Sequence, residues 1–90
     1  MKFEYDENKS RSNKIKHNID FEEVKKLWKD DKMLELETSF ENEVRYLNIG
    51  KIYDKFYTVV ITYRDNNIRI ISARRSRTKE IEIYDSRRIW

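Results

Sequence analysis

The chain contains no cysteine and only one glycine, Gly50. Without cysteine it can form neither a disulfide framework nor a reactive thiolate. One histidine and no cysteine also exclude the ordinary structural zinc sites. A single glycine cannot supply the P-loop or the dinucleotide-binding fingerprint, and no G-x-S-x-G motif occurs. The chemistry left to this sequence uses Lys, Arg, His, Tyr and carboxylate side chains, so we expect neither a metal site nor a cofactor.

Long apolar runs are also missing. No segment approaches the roughly 18 residues of a membrane-spanning helix, and the N-terminus has no signal-peptide core. We therefore expect a soluble, cytoplasmic protein without a membrane partner. Ninety residues with no repeat and no linker predict a single domain over 1–90 with a thin core. Charged residues make up 41% of the chain, which leans toward disorder, but four Phe, six Tyr and two Trp in periodic segments indicate a fold.

The charges are unevenly placed along the chain. Residues 1–45 hold ten Lys/Arg and twelve Asp/Glu, whereas residues 46–90 hold ten and five. Four arginines and no acid lie between Arg69 and Arg77. Such asymmetry predicts a basic face for a polyanion, although on charge alone an uneven, solvated surface is the simpler interpretation.

Two helices are predicted near the N-terminus. Residues 2–5 alternate as a short strand does, and Asp6 can then cap a helix that ends near His17. This helix has one apolar residue and no apolar stripe, so it either faces solvent or presents polar groups to something. Asp20 and Glu23 form a variant of the capping box, which predicts the start of a second helix with an apolar stripe.

The rest of the chain predicts strands and a last helix. Alternating or β-branched segments cover residues 33–39, 43–50, 55–64 and 68–73. The third of these is nearly continuous in apolar residues and should lie centrally, and the short loops imply a three-strand antiparallel meander. Residues 76–86 read as a helix with Ser76 as a candidate cap. The expected fold class is α+β, with a small antiparallel sheet (the meander plus additional strands), two N-terminal helices and one C-terminal helix.

The stretch IRIISARR, residues 68–75, puts arginines into a strand that belongs in a core. By simple alternation, Arg69 shares a partly apolar face with Ile71 and Ala73. Arg74 and Arg75 follow where the strand leaves the sheet, a place where binding residues collect, although either could simply be solvated.

Arg45 poses the same problem in an earlier strand, where it shares a face with Leu47 and Ile49. A buried, unpaired guanidinium is costly, so Arg45 and Arg69 each need a carboxylate, backbone carbonyls, or an opening to solvent or a ligand. Two interpretations stay open. Each arginine is part of a functional site, or each forms a structural ion pair with a carboxylate on a neighbouring strand: Glu4, Glu35 or Glu37.

The polar first helix carries a second candidate group. Lys9, Asn13, Lys16 and His17 are spaced so that they fall on one helical face. Lysine supplies a point charge for a phosphate, and histidine can move a proton near neutral pH. The simpler alternative for His17 is a cation near a helix C-terminus, favourable by about 0.3–1 kcal/mol.

These motifs resemble the BrnT family of toxins. The stretch FEYDENKSRSNKIKHNIDFEE, residues 3–23, matches the pattern F-E-[WY]-D-x-x-K-x-x-x-N-x-x-K-H followed by F-E-E. RYLNIGK, YTVVITYR and IRIISARR continue the match, as does Glu80. The resemblance covers roughly residues 2–84 and is specific, because several ordered motifs agree. The tail, residues 85–90, does not align; it is either an extension of the last helix or an artificial addition.

The resemblance implies a RelE-like fold and a ribonuclease toxin of a type II toxin–antitoxin pair that inhibits translation. Metal-free RNA cleavage fits the residues available, because the substrate supplies its own 2′-OH nucleophile. The implied partners are RNA and a cognate antitoxin with a ribbon-helix-helix DNA-binding dimer, in a 2:2 complex that reaches an operator only through the antitoxin. The expected catalytic residues are Lys9, Lys16, His17, Arg45, Arg69 and Arg74. The expected RNA-binding residues are Asn13, Ser72, Arg75 and Arg77.

In this interpretation the helix face and the strand arginines converge on one cleft. Arg69, Arg45 and Lys16 then hold the scissile phosphate, and His17 or Lys9 moves the proton. A purely electrostatic mechanism without an acid/base pair stays open. The alternative function is a small basic module that binds RNA or a partner protein without catalysis.

Overall fold

The structure, a computed structural model, describes residues 2–87, with the side chain of Phe40 excepted. Within this range five strands form one sheet, and helices cover both of its faces. In chain order the elements are β1 (Phe3–Glu4), α1 (Glu7–His17), α2 (Phe21–Val24), a 3₁₀ helix (Lys25–Lys29), β2 (Leu34–Phe40), β3 (Glu43–Ile52), β4 (Lys55–Arg64), β5 (Asn67–Arg75) and α3 (Thr78–Arg87).

The sheet has the strand order β1-β5-β4-β3-β2. Strands β2 to β5 form an antiparallel meander, which confirms the predicted meander and extends it to four strands. Strand β1 pairs in parallel with β5, with Phe3 opposite Ile68, so the prediction of a purely antiparallel sheet is wrong. The short β1 pairs only with the first part of β5, because β1 ends at Glu4, opposite Arg69.

The predicted caps at the starts of α1 and α2 are confirmed, and α1 ends at His17 as expected. The Asp6 side chain accepts hydrogen bonds from two backbone N–H groups of the first turn of α1. Asn18, with a positive φ of 60°, ends that helix. Asp20 and Glu23 form the full reciprocal capping box of α2. The predicted second helix holds for one α-helical turn and continues as the 3₁₀ helix.

The main core lies between the sheet and the segment that carries α2 and the 3₁₀ helix. Strand β4 occupies the centre of the sheet, as its apolar run predicts, and five of its ten residues are buried. Ile19, just before α2, is also buried. The buried cluster consists of Ile19, Phe21, Val24, Leu27, Ile52, Tyr57, Val59, Ile61, Ile68, Ile70 and Ala73.

Helix α3 packs against the other face of the sheet. Tyr84 is buried there, with its ring 5.2 Å from that of Phe56, and its hydroxyl donates to Asp30 Oδ2 at 2.8 Å. The helix begins at Thr78 rather than at the predicted cap, and Ser76 Oγ instead lies 2.8 Å from Thr58 Oγ1. Part of the tail therefore continues the helix, and residues 88–90 lie outside the described residues.

A β-bulge in β5 overturns the predicted alternation. Val60 pairs with Ser72, but the next residue of β4 pairs with Ile70, so Ile71 is an extra residue without a partner on β4. The extra residue shifts the phase, because two residues of one strand now oppose one of the other. Arg69 therefore shares a face with Ser72 and Arg74, and not with Ile71 and Ala73 as predicted.

The tip of the β4–β5 hairpin follows the predicted turn chemistry. Asp65 and Asn66 both have positive φ, 52° and 68°, as a two-residue turn of this twist requires. Over residues 2–87, the helices are too short or too polar for any of them to cross a membrane.

Candidate functional site: two basic grooves at the edge of strand β5

Helix α1 lies against the edge of β5 that β1 leaves open, and polar contacts hold it there. The Asn13 Nδ2 atom donates to Ile19 O at 2.8 Å, and Asn13 Oδ1 accepts from the backbone N–H of Ala73 at 3.2 Å. Ser10 Oγ accepts from the N–H of Phe21 at 2.9 Å. Both side chains are buried. This explains how a helix without an apolar stripe packs: it replaces apolar burial with satisfied hydrogen bonds.

A first groove runs between α1 and β5. It has a volume of about 200 Å³, and we call it the edge groove. Its walls combine the predicted polar face of α1 with the bulge of β5: Lys9, Ser12, Asn13, Lys16, His17, Ile71 and Ser72. The structure thus brings together four predicted residues of α1 and one of β5.

A second groove opens at the C-terminal end of α1. Its volume is about 480 Å³, and we call it the end groove. Its walls come from the end of α1, the start of β4 and the end of β5: Lys16, His17, Asn18, Lys55, Tyr57, Arg74 and Arg75. The two grooves share Lys16 and His17, so these side chains stand where the grooves meet.

The cations of the grooves are mostly free of carboxylates. Among residues 2–87, none of Lys9, Lys16 and Lys55 has a carboxylate oxygen within 4.0 Å. Arg75 likewise forms no ion pair there, and its guanidinium lies over the ring of Tyr57, 5.7 Å from the centroid. Like charges gathered without counter-charges raise the local positive potential, which favours an anion with several charges.

Arg74 is the exception, because Glu80 holds it. Its Nη1 and Nη2 atoms donate to the two oxygens of Glu80 at 2.9 and 2.8 Å, and Nη1 also donates to the Arg75 carbonyl. The same carboxylate accepts from Thr58 Oγ1 and from the N–H of Arg77. The hydrogen bonds from Arg74 are the main reason that the pKa of Glu80 falls to about 2. Three of the five N–H groups of Arg74 are occupied, which fixes the guanidinium and leaves two for a ligand.

Arg69 and Arg45 line neither groove. Arg69 Nη1 donates to Glu4 Oε2 at 2.9 Å, which confirms one of the predicted ion pairs and joins β1 to β5. Arg45 contacts Glu43 on its own strand, at 3.1 Å. Arg69 lies about 13 Å along β5 from Arg74, since about four ladder steps of 3.3 Å separate them. Arg77 is exposed in the β5–α3 connection.

A further cleft is less suited to an anion. The cleft between α1 and α2, about 420 Å³, mixes Arg11 and Lys14 with three carboxylates, Glu7, Asp20 and Glu22. Lys14 is also already paired with Glu23 at 2.8 Å. In the described part of the chain, His, Asp and Glu nowhere gather in a group of three that could hold a metal ion.

Sequence reasoning missed several residues of the two grooves. Lys55 and Tyr57 belong to the β3–β4 hairpin, and their place beside α1 depends on packing between distant segments. Asn18 signals the end of α1, where it takes the left-handed conformation. Ile71 lines the edge groove because of the bulge, and no residue type in IRIISARR predicts a bulge there.

The fold and the grooves define a small α+β domain with two grooves rich in basic side chains. A family model described as the ribonuclease toxin BrnT of type II toxin–antitoxin systems matches residues 5–80, which include every residue that lines the two grooves. The chain therefore belongs to the BrnT family of ribonuclease toxins, as its motifs indicate, and membership implies a cognate antitoxin. Comparison with curated proteins gives no match.

Proposed function

We propose that the protein is a metal-independent endoribonuclease that cleaves RNA where the edge groove meets the end groove. The observation that carries the proposal is the position of Lys16 and His17 at this junction, among cations of which only Arg74 has a carboxylate partner within residues 2–87. A polyanionic strand can lie along such a path, and its phosphates replace the missing counter-charges. Cleavage of messenger RNA or of RNA on the ribosome would inhibit translation in the cytoplasm.

The proposed reaction uses the 2′-OH of RNA as the nucleophile. The 2′ oxygen attacks the adjacent phosphorus, the bond from phosphorus to the 5′ oxygen breaks, and the products are a 2′,3′-cyclic phosphate and a 5′-hydroxyl. The 2′-OH loses a proton and the leaving 5′ oxygen gains one. The protein must therefore orient the strand, move protons and stabilise negative charge on the phosphate.

The groove residues divide these tasks. Lys16 and the two remaining N–H groups of Arg74 bind the non-bridging oxygens of the scissile phosphate, and Glu80 keeps Arg74 in position. His17 or Lys9 moves the proton. In a purely electrostatic form of the mechanism, the same cations supply the acceleration and His17 acts only as a further positive charge.

The other predicted residues have supporting roles in this proposal. Asn13 fixes α1 beside β5, and Ser72 offers a hydroxyl to the strand in the edge groove. Arg75 and Arg77 contact flanking phosphates. Arg69 and Arg45 lie too far along the sheet to share the phosphate held by Arg74, so we assign them to RNA that continues across the second face of the sheet.

The proposed partner is a cognate antitoxin with a ribbon-helix-helix DNA-binding dimer. Two toxin chains and two antitoxin chains form the complex, and operator DNA is bound through the antitoxin alone. The arrangement of the sheet and helices is compatible with a RelE-like fold. Neutralisation would follow if the antitoxin covers the basic grooves, because RNA and antitoxin then compete for one surface.

The decisive experiment is cleavage of single-stranded RNA by purified protein in the presence of EDTA. We expect 2′,3′-cyclic phosphate products, and we expect the double variant Lys16→Ala/His17→Gln to make none while its thermal melt stays close to wild type. Lys29→Ala is the matched control, because Lys29 is an exposed lysine outside both grooves. Binding of RNA without cleavage by folded wild-type protein would instead support the non-catalytic module.

A further inference from the structure

The end groove is larger than the scissile phosphate requires. Its volume of about 480 Å³ is within the range of pockets that hold whole small ligands, roughly 300–1,000 Å³, whereas the edge groove at about 200 Å³ is below it. The residues needed for the proposed chemistry already stand at the junction. The remaining space and the remaining cations are therefore available to a second group of the same ligand.

The far wall of the end groove carries positive charge beyond that assigned to the scissile phosphate. Tyr57 and Arg75 are register partners on neighbouring strands, and Lys55 precedes Tyr57 by two residues, so all three project from the same face of the sheet. Tyr57 is buried and forms the floor, with the guanidinium of Arg75 above it. Lys55 and Arg75 are exposed and lack carboxylate partners within residues 2–87.

The C-terminal end of helix α1 by itself disfavours an anion in the end groove, because helix C-termini carry a partial negative charge. Here the last turn of α1 carries Lys14, Lys16 and His17, and the N–H of Asn18 donates to the carbonyl of Lys14. The basic side chains and the capped carbonyl reduce the repulsion that an anion meets at this end. The groove therefore stays suited to a phosphate on balance.

We propose that the end groove is a second nucleotide subsite, which binds the nucleotide next to the scissile phosphate through Lys55 and Arg75. This inference rests on the proposed ribonuclease function and adds a ligand to it: the flanking phosphodiester of the same single strand. Lys55 and Arg75 contact that phosphate, and the sugar and base lie in the remaining open space of the end groove. Because point charges and a guanidinium read the backbone rather than base edges, the subsite tolerates any base.

The subsite makes cleavage depend on a phosphate that is not cut. A suitable pair of substrates carries a single ribonucleotide in an otherwise DNA strand, so that only one bond can break. One substrate has an ordinary flanking phosphate, and in the other a neutral methylphosphonate replaces it. For wild-type protein we expect kcat/KM to be about tenfold higher with the ordinary phosphate, the effect of about one charge-assisted hydrogen bond.

Lys55→Ala and Arg75→Ala test the assignment. Each should bring the ratio of kcat/KM between the two substrates toward one, whereas Lys29→Ala should keep the wild-type ratio. Binding of a 2′-O-methyl strand, followed by fluorescence anisotropy, should show a salt slope about 0.7 smaller for each variant, the value for one phosphate contact on a single strand. Circular-dichroism melts establish that each variant is folded.

The outcomes separate the subsite from the proposed function. If both substrates are cut in a His17-dependent way but Lys55→Ala and Arg75→Ala keep the wild-type ratio and salt slope, the subsite is wrong and the ribonuclease proposal stands. If the variants lose both substrates equally while folded, Lys55 and Arg75 act at the scissile phosphate and the subsite is again wrong. If folded wild-type protein cuts neither substrate nor natural RNA, the ribonuclease proposal fails and the subsite fails with it.

Discussion

His17 stands at the junction of the two grooves, and histidine is the residue type whose charge most readily changes near neutral pH. If it moves the proton, His17→Gln should lower the cleavage rate by about 10²–10⁴-fold and remove one limb of the pH–rate profile. The side chain is exposed, so the loss of a cation at the helix end should cost only about 0.3–1 kcal/mol of stability. Rates measured from pH 5 to 8 test this.

The matched comparison for this prediction is Lys16→Ala at the same junction. It should weaken RNA binding and the salt dependence of binding, because it removes a phosphate contact, but it should keep the shape of the pH–rate profile. A wild-type rate for His17→Gln across the whole pH range would show that proton transfer lies with Lys9 or that the mechanism is purely electrostatic.

The lowered pKa of Glu80 predicts how the stability of the folded protein depends on pH. Its pKa is about 2 in the folded protein against an ordinary value of 4.5, chiefly because it accepts hydrogen bonds from Arg74. A lowered pKa in the folded state adds stability above pH 4.5, and this contribution is lost as the pH falls from about 4.5 to about 2. The shift corresponds to at most about 3 kcal/mol. Glu80→Gln should therefore lower the free energy of unfolding at pH 7 and flatten its pH dependence in this window.

Glu82→Gln is the control for this measurement. Glu82 lies on the same helix, α3, and is exposed, so its substitution should leave the acid-range slope close to wild type. Denaturant unfolding at a series of pH values measures both variants. Equal slopes for wild type and Glu80→Gln between pH 2 and 4.5 would contradict the role of the Arg74–Glu80 pair in stability.

At the scale of elements, the role of the bulge in β5 can be tested by deleting its extra residue. Removing Ile71 would restore regular pairing without moving any other residue to the wrong face, because Arg69 would then precede Ser72 by two positions. We therefore expect the deletion variant to fold, with a cooperative thermal melt. It should nevertheless lose RNA cleavage by at least tenfold, because loss of the extra backbone residue shifts the β5 wall of the edge groove relative to α1.

Ile71→Ala separates the bulge from the isoleucine side chain. It keeps the extra residue and removes only part of the wall, so its rate should lie close to wild type. An unfolded deletion variant would show that β5 needs the bulge for its pairing. A deletion variant with the wild-type rate would show that the bulge has no part in the site.

The elements also show where sequence reasoning succeeds and where it stops. Caps and turns follow from residues three or four positions apart, so Asp6, Asp20 and the Asp65–Asn66 turn behave as predicted. The central place of β4 follows from its apolar run. The four α1 residues of the edge groove follow from helical spacing, because α1 is regular.

The remaining features depend on contacts that sequence spacing does not encode. A bulge needs only one additional residue, and the isoleucines of IRIISARR are compatible with regular alternation of side chains as well as with a bulge. The parallel pairing of β1 with β5 depends on how the N-terminal segment is positioned beside β5, which is distant in sequence. Arg45 pairs with Glu43 within its own strand, a contact that alternation permits but does not favour over pairs across strands. Lys55 joins the end groove only because the β3–β4 hairpin ends beside α1.

For the whole molecule, family membership leads to a prediction in living cells. Expression of the chain alone should arrest bacterial growth, and co-expression with the cognate antitoxin should relieve the arrest. The double variant Lys16→Ala/His17→Gln should accumulate as folded protein without arresting growth. Harmless expression of soluble, folded wild-type protein would contradict the toxin function.

The stoichiometry of the toxin–antitoxin complex is a separate prediction. Light scattering of the purified complex should give the mass of two toxin chains and two antitoxin chains. If the antitoxin covers the grooves as proposed, the complex should not cleave RNA. A complex that keeps wild-type cleavage would place the antitoxin elsewhere on the surface and would require another means of neutralisation.

The hydrogen bond between Asn13 and Ala73 spans 60 residues of sequence, and it sets the order in which the site can be built during synthesis. A ribosome that adds about 5–20 residues per second needs roughly 3–12 s to make the chain between them. Until β5 has left the ribosome, α1 has no edge to dock against, and neither groove has its second wall. Nascent or truncated chains that end before β5 therefore lack both grooves, and with them the proposed cleavage site.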